Sequence, residues 1–208
     1  MRKGLRPDLA VQSFSHGIKH LIDKTEGAKQ RMNLQLKNLP LNEELIQTVL
    51  RWENDPAISP FITPHYDEES ELPLVTEEGV RESLSNPDKR NYFICVDDKP
   101  VGIASIIRDF PALLKNDGKT AWLGIYIGEP DWRSKGIGKT VMALYEEDCR
   151  SLGYQRIELG VFSHNAGAIR LYERSGFTQI GVIPHFTYSQ GQWRDDIRME
   201  KIILTNLG

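Results

Sequence analysis

The stretch Arg133-Ser134-Lys135-Gly136-Ile137-Gly138-Lys139-Thr140 combines two glycines one residue apart with the start of an apolar-periodic run. A turn that follows a strand and opens a helix presents unpaired backbone N–H groups and the positive end of a helix dipole. It is physically an anion cradle, and phosphate is its natural guest. Three classes of phosphate-bearing ligand use such a turn. A nucleotide-triphosphate loop requires a glycine where Arg133 stands, so Gly138-Lys139-Thr140 is only the end of that motif. A dinucleotide fingerprint requires a third glycine where Val141 stands, and the strands ahead of the turn read as an antiparallel hairpin. The pattern that fits is Arg-x-x-Gly-x-Gly.

The elements that must position this turn are legible around it. Trp122 to Ile127 reads as a strand, Gly136 opens a helix, and Arg156 to Phe162 reads as the next strand. The helix carries Ile137, Val141, Tyr145, Cys149 and Leu152 on one side and ends at Gly153, a residue suited to a left-handed terminus. A second helix, Asn165 to Ser175, ends in the same way at Gly176. Upstream, Leu45, Ile46, Val49 and Leu50 follow Asn42 and two first-turn acids, which predicts an amphipathic helix stopping near Asn54-Asp55-Pro56. Residues Pro56 to Pro73 hold four prolines and the acids Asp67, Glu68, Glu69 and Glu71, predicting a loop before a short helix at Thr76. Tyr92 to Val96 and Val101 to Ile107 predict a hairpin across Asp97-Asp98-Lys99-Pro100. The tail predicts two last strands, Phe177 to Ile183 and about Arg194 to Leu204, joined across Ser189-Gln190-Gly191.

With 208 residues, 39% of them hydrophobic and 26% charged, the chain suits one globular domain with an appendage. Val11, Phe14, Ile18 and Leu21 recur at helical spacing in residues 1–31, an N-terminal extension, and residues 32–208 form the domain proper. The net charge of -3 gives no reason to expect a nucleic-acid partner. Cys95 and Cys149 are far apart in sequence and suggest core thiols, with neither a disulfide framework nor a metal site. No apolar window is long enough to span a bilayer and no signal-peptide pattern opens the chain, so a cytoplasmic protein without a membrane partner is expected.

Arg133, Gly136 and Gly138 resemble the coenzyme A pyrophosphate motif of the GNAT superfamily of N-acetyltransferases. Downstream, Asn165-x-x-Ala168-x-x-Leu171-Tyr172-x-x-x-Gly176-Phe177 resembles that superfamily's next segment, at the matching distance. The resemblance extends over about Asn33 to Leu204. Trp52-x-Asn54-Asp55-Pro56 and Gly191-x-Trp193-Arg194-Asp195-x-x-x-Met199 are similar to the spermidine and ribosomal-protein branches.

This resemblance implies an α/β (α+β) fold, with a mixed, mostly antiparallel sheet of six to seven strands splayed at its centre and about four helices. It implies acetyl-CoA as co-substrate, held by Arg133 to Thr140 and by Asn165, Ala168 and Tyr172, with Ile125, Tyr126 and Ile127 offering backbone groups to the thioester. It further implies Tyr172 as general acid. Relatives place a glutamate early in the third strand, where this chain has Trp122, so Glu129 or an acid of the Asp67 to Glu71 loop becomes the expected base. The loop acids would also attract a cationic acceptor. The expected reaction is acetyl transfer to a primary amine, either a small cation or a protein N-terminus. It needs no metal, and a homodimer is compatible with it. A GNAT-like module that binds acyl-CoA as a sensor, without turnover, is the alternative.

Overall fold

The computed structural model describes residues 20–21, 33–108 and 110–203. Its strands are β1 His20–Leu21, β2 Asn33–Lys37, β3 Lys89–Val96, β4 Lys99–Arg108, β5 Thr120–Ile127, β6 Arg156–Phe162, β7 Thr178–Ser189 and β8 Gln192–Ile202. Its α-helices are α1 Glu43–Glu53, α2 Ser59–Ile62, α3 Glu77–Ser85, α4 Ile137–Ser151 and α5 Ala166–Arg174. The strands form one sheet in the order β1-β2-β3-β4-β5-β6-β8-β7, antiparallel throughout except between β5 and β6. Apart from the two-residue β1, the sheet has seven strands among the described residues, within the expected six to seven.

Period-two alternation sends successive residues of each strand to opposite faces. Ile94, Val96, Ala104, Ile106, Ala121 and Leu123 join Ile137, Val141 and Tyr145 of α4 in the larger core. Phe93, Cys95 and Ile103 face the other way and pack on Leu45, Ile46, Val49 and Trp52 of α1 and Val80 of α3. The predicted apolar side of α4 is buried except at its last member: Leu152 is the C-cap and is exposed. Both cysteines are buried free thiols.

The hairpin of β3 and β4 turns on Asp97 and Asp98, both at positive φ, and that of β7 and β8 turns on Gln190 and Gly191, likewise both positive. Such two-residue turns match the twist of the strands they join. Of the tail strands, β7 is longer than predicted, continuing to Ser189 through two register shifts, while β8 has about the predicted length but starts earlier, at Gln192. Two further differences concern short elements. The predicted loop from Pro56 contains α2, a single turn with proline near its start, and β2 adds a strand on which Leu34 is buried. Val11, Phe14 and Ile18, read as a helix, lie outside the described residues, while Leu21 pairs with Asn33 as a strand. Among the described residues, no helix is long and apolar enough to cross a membrane.

Candidate active site

β5 and β6 pair over three residues only, Thr120↔Arg156, Ala121↔Ile157 and Trp122↔Glu158. Beyond that point β5 stays with β4 as far as Ile127↔Gly102, and β6 stays with β8 as far as Phe162↔Asp196. The two arms separate into a wedge, which is the predicted splay. Ile125, Tyr126 and Ile127 lie on an arm with no β6 partner, and an unpaired strand edge is a template for an extended ligand carrying amides. Gly124 and Gly160 stand just beyond the last pair, one on each arm. From α4, the Tyr145 hydroxyl donates to the Gly124 carbonyl at 2.7 Å and closes the apex.

The α4 N-terminus faces this wedge in a condition the comparable helices do not share. Asn42 caps α1, Thr76 caps α3 and Asn165 caps α5, each by a side-chain oxygen that accepts a backbone N–H. α4 begins at Gly136, which has no side chain to cap with. Its first N–H groups therefore keep their donors for something else. Ser134 and Gly136 both adopt positive φ, 58° and 80°, so the chain curls ahead of the helix as anion-binding turns do. Gly138 lets α5 come close: a Cβ there would stand 2.7 Å from Cδ2 of the half-buried Leu171 side chain, which would have to turn aside. Ile137 is buried and anchors the turn, Lys135 lies 5.2 Å over the Trp132 ring, and Lys139 is exposed on the first turn beside half-buried Thr140. A diphosphate with an extended amide-bearing arm fits this pairing of uncapped helix and open strand edge.

Several expected site residues have other partners. The Arg133 guanidinium turns back from the cradle, donating to Ile127 O at 3.2 Å, Gly128 O at 2.6 Å and Asp55 Oδ2 at 2.7 Å. Its contribution is to hold the shape of the turn. Asn165 accepts from Ala168 N at 3.1 Å, so that N–H is spent on the cap. The Tyr126 side chain leaves the wedge and donates to Glu53 Oε1 at 3.0 Å. Glu129, one of the expected bases, binds Arg51 Nη2 at 2.6 Å and Trp52 Nε1 at 2.9 Å. Partial burial pushes its carboxyl up, but the hydrogen bonds from Arg51 and Trp52 outweigh this and hold it below the usual carboxylate range. A carboxylate so placed anchors α1 and is a weak base. Of the loop acids, Asp67 accepts from Glu69 N and Glu68 accepts from Trp193 Nε1 at 3.1 Å, while Glu69 and Glu71 are exposed. The same loop is seated on β7, where His65 N donates to Thr187 Oγ1 and Tyr188 N to His65 O.

Tyr172 on α5 is 6% exposed, beside Phe177. Burial alone pushes its phenol up to about 12, and the hydroxyl has no hydrogen-bond partner among the described residues. It is protonated across the physiological range and free to donate.

Sequence reading missed the opposite face of the wedge. There Glu158 and Arg198 are almost fully buried, and Arg156 pairs with both Glu158 and Glu200. Arg198 Nε donates to Asp196 Oδ2 at 2.7 Å, and its Cζ lies 4.8 Å over the Trp122 ring. The available signal was alternation: Arg194, Asp196, Arg198 and Glu200 fall on one face of β8. Among the described residues, no cluster of three or more His, Cys, Asp or Glu is placed to hold a metal ion.

Comparison with known proteins agrees with this geometry. Residues 46–177 match the Acetyltransferase (GNAT) family. The uncharacterized N-acetyltransferase YycN of Bacillus subtilis is 40% identical over 60 residues, which cover 29% of this chain and 36% of that relative's length. The spermidine N-acetyltransferase from Vibrio cholerae, solved in complex with CoA and spermine, shares the fold at TM-score 0.63 and 19% identity, over 82% of this chain and 95% of that one. The ribosomal-protein-alanine N-acetyltransferase from Brucella melitensis does so at TM-score 0.60 and 24% identity, over 78% and 96%. The splayed sheet, the uncapped glycine turn and the family match over most of the fold agree, and the chain belongs to the acetyltransferase (GNAT) family.

Proposed function

We propose that this chain is an N-acetyltransferase that moves an acetyl group from acetyl-CoA to a primary amine, either a small cationic amine or a protein N-terminus. The observation that carries the reading is the uncapped, curled N-terminus of α4 beside a strand edge left open by the splay. Family membership supports it, as do two folds of the same kind whose names specify spermidine and a ribosomal-protein alanine as acceptors. Residues 32–208 form the catalytic domain, with 1–31 as an extension.

Acetyl-CoA, when bound, supplies an activated acyl group on sulfur. Backbone N–H groups of Ser134 to Thr140 bind its pyrophosphate at the positive end of α4. The open edge at Ile125 to Ile127 receives the extended arm and polarises the thioester carbonyl. Tyr172 gives its hydroxyl proton to the departing sulfur. Its elevated phenol keeps that proton in place until a thiolate forms. Asp67, Glu68, Glu69 and Glu71 raise the local concentration of a cationic acceptor, and converting all four to amides should raise its KM without changing acetyl-CoA affinity.

The reading is tested by thiol release from acetyl-CoA against polyamines, aminoglycosides, amino acids and N-terminal peptides. Acceptor-dependent release establishes the activity and its substrate class. Tight acetyl-CoA binding with no release across the panel would overturn it in favour of a sensor.

A further inference from the structure

We propose that Asp196 of β8 is the carboxylate that meets the acceptor's ammonium group and takes its proton, an assignment that rests on the acetyltransferase reading. Its position comes first. Asp196 is paired with Phe162, at the outer end of the β6 arm of the wedge. Its Oδ1 lies across Gly160, 2.6 Å from where a Cβ on that glycine would stand, and the Trp122 ring edge is 3.0 Å from the same point. The missing side chain at Gly160 is therefore what gives the carboxylate its place on the arm.

The second observation is valence. Asp196 is 3% exposed, and its Oδ2 accepts from Arg198 Nε at 2.7 Å, yet its Oδ1 is buried without a partner. A buried carboxylate oxygen left unsatisfied is costly, and a carboxylate only accepts hydrogen bonds. What completes it must be a donor, and an ammonium group brings both a donor and the opposite charge. Phe162, within 6.0 Å of the Phe186 ring, supplies aromatic surface on the same face for a cation's alkyl body, whereas Trp122 is taken up by Phe110 stacked on it and by Arg198 over its ring.

The third is sidedness. Residues 158, 160 and 162 of β6 share the face on which Asp196 lies, whereas Leu159 and Val161 point into the core that holds Tyr172. The wedge thus has a carboxylate on one side and a phenol on the other. Direct acyl transfer can use both groups, because the amine that adds to the carbonyl must lose protons while the thiolate expelled from the tetrahedral centre must gain one. The lone pair of the nitrogen forms the C–N bond, the C–S bond breaks, and its electron pair leaves with sulfur. Of the two protons the nitrogen sheds, the first goes to Asp196 Oδ1 and on to solvent. The second, passed through water, restores the Tyr172 hydroxyl, which has given its own to sulfur.

Basicity fits this role. Burial pushes the Asp196 carboxyl up and Glu158 on β6 adds to the rise, while Arg198 on β8 and the nearby Val161 backbone N–H on β6 only partly oppose it. The result is a stronger base than an exposed aspartate.

The test uses the full-length protein, acetyl-CoA, and spermidine or an alanyl peptide, whichever the wild type acetylates. Asp196→Asn should lower kcat/KM about 10²-fold or more at pH 7 while leaving acetyl-CoA affinity unchanged. The deficit should shrink as pH approaches the amine's own pKa near ~10, where free amine needs no base. A merely structural role would not produce that convergence. Should Asp196→Asn fold poorly, Asp196→Ala assayed with added formate keeps the proposal open to refutation, since rescue requires a carboxylate base at that place. A folded Asp196→Asn within about threefold of wild type at pH 7, or Asp196→Ala that formate does not rescue, overturns the assignment alone. A wild type that releases no thiol with any amine overturns the acetyltransferase reading and this role with it.

Discussion

Arg133 reaches back across 78 residues of sequence to Asp55, with Nη2 and Oδ2 at 2.7 Å, and so clamps the turn ahead of α4 to the end of α1. Asp55→Ala should loosen the turn and raise KM for acetyl-CoA about tenfold, equivalent to about 1.4 kcal/mol, with kcat little changed. The hydrogen bond from Arg133, with a second from the Ala57 N–H, holds the Asp55 carboxyl below the usual range. A carboxyl lowered by folding stabilises above its unfolded value and loses that contribution as pH falls through the folded one. Thermal denaturation below pH 4 should therefore distinguish the variant less from wild type than it does at pH 7.

Tyr172→Phe should reduce kcat about 10²-fold and leave acetyl-CoA affinity and melting temperature nearly unchanged, because the ring stays packed while the proton is lost. With the wild-type phenol pushed up to about 12, an alkaline fall in rate caused by Tyr172 belongs near that pH and not near an ordinary tyrosine value of ~10. Steady-state kinetics across pH check both statements.

Gly138→Ala should drive a methyl into Leu171 and separate the start of α4 from α5. Overpacking of this kind costs about 1–3 kcal/mol, to be read from urea denaturation. Leu171→Val in the same chain should return part of that loss and of the acetyl-CoA affinity. If the double variant is no better than the single one, the contact is not what requires the glycine.

Glu158 accepts from Leu114 N at 2.9 Å and pairs with Arg156, while Arg198 Nη1 stands 3.7 Å from it. Its removal leaves Arg156 with Glu200 alone and Arg198 with Asp196 alone, so two buried guanidinium groups each lose one carboxylate. Glu158→Ala should cost about 3–5 kcal/mol in equilibrium unfolding, far more than loss of the exposed Lys37–Asp98 pair.

The parts of this architecture that the sequence announced are those governed by local rules. Gly153 and Gly176 follow α4 and α5 at positive φ, where a Cβ would be strained, and Asn42, Thr76 and Asn165 mark helix starts by their own side chains. Tyr172 and the glycine turn could be named because their spacing resembles a family. What escaped was long-range. Nothing near Arg133 says that its partner is Asp55, and nothing near Glu129 says that Arg51 and Trp52 take up its carboxylate. The charges at Arg156, Glu158 and Arg198 look like a solvated surface until β6 and β8 are laid side by side and Ala112, Leu114 and Lys115 are folded over them. The single turn of α2 was hidden among prolines, which signal a loop but also suit a helix's first turn.

The three-pair junction of β5 with β6 also divides the sheet mechanically. On one side β2 to β5 are held by continuous antiparallel ladders, and on the other β6 to β8 are held by theirs. Amide exchange should therefore proceed in two cooperative units that meet at Thr120 to Trp122, with their slowest protons in β4 and β8. A ligand seated between the arms bonds to both units at once, and in doing so makes a molecule that opens in halves open as a whole.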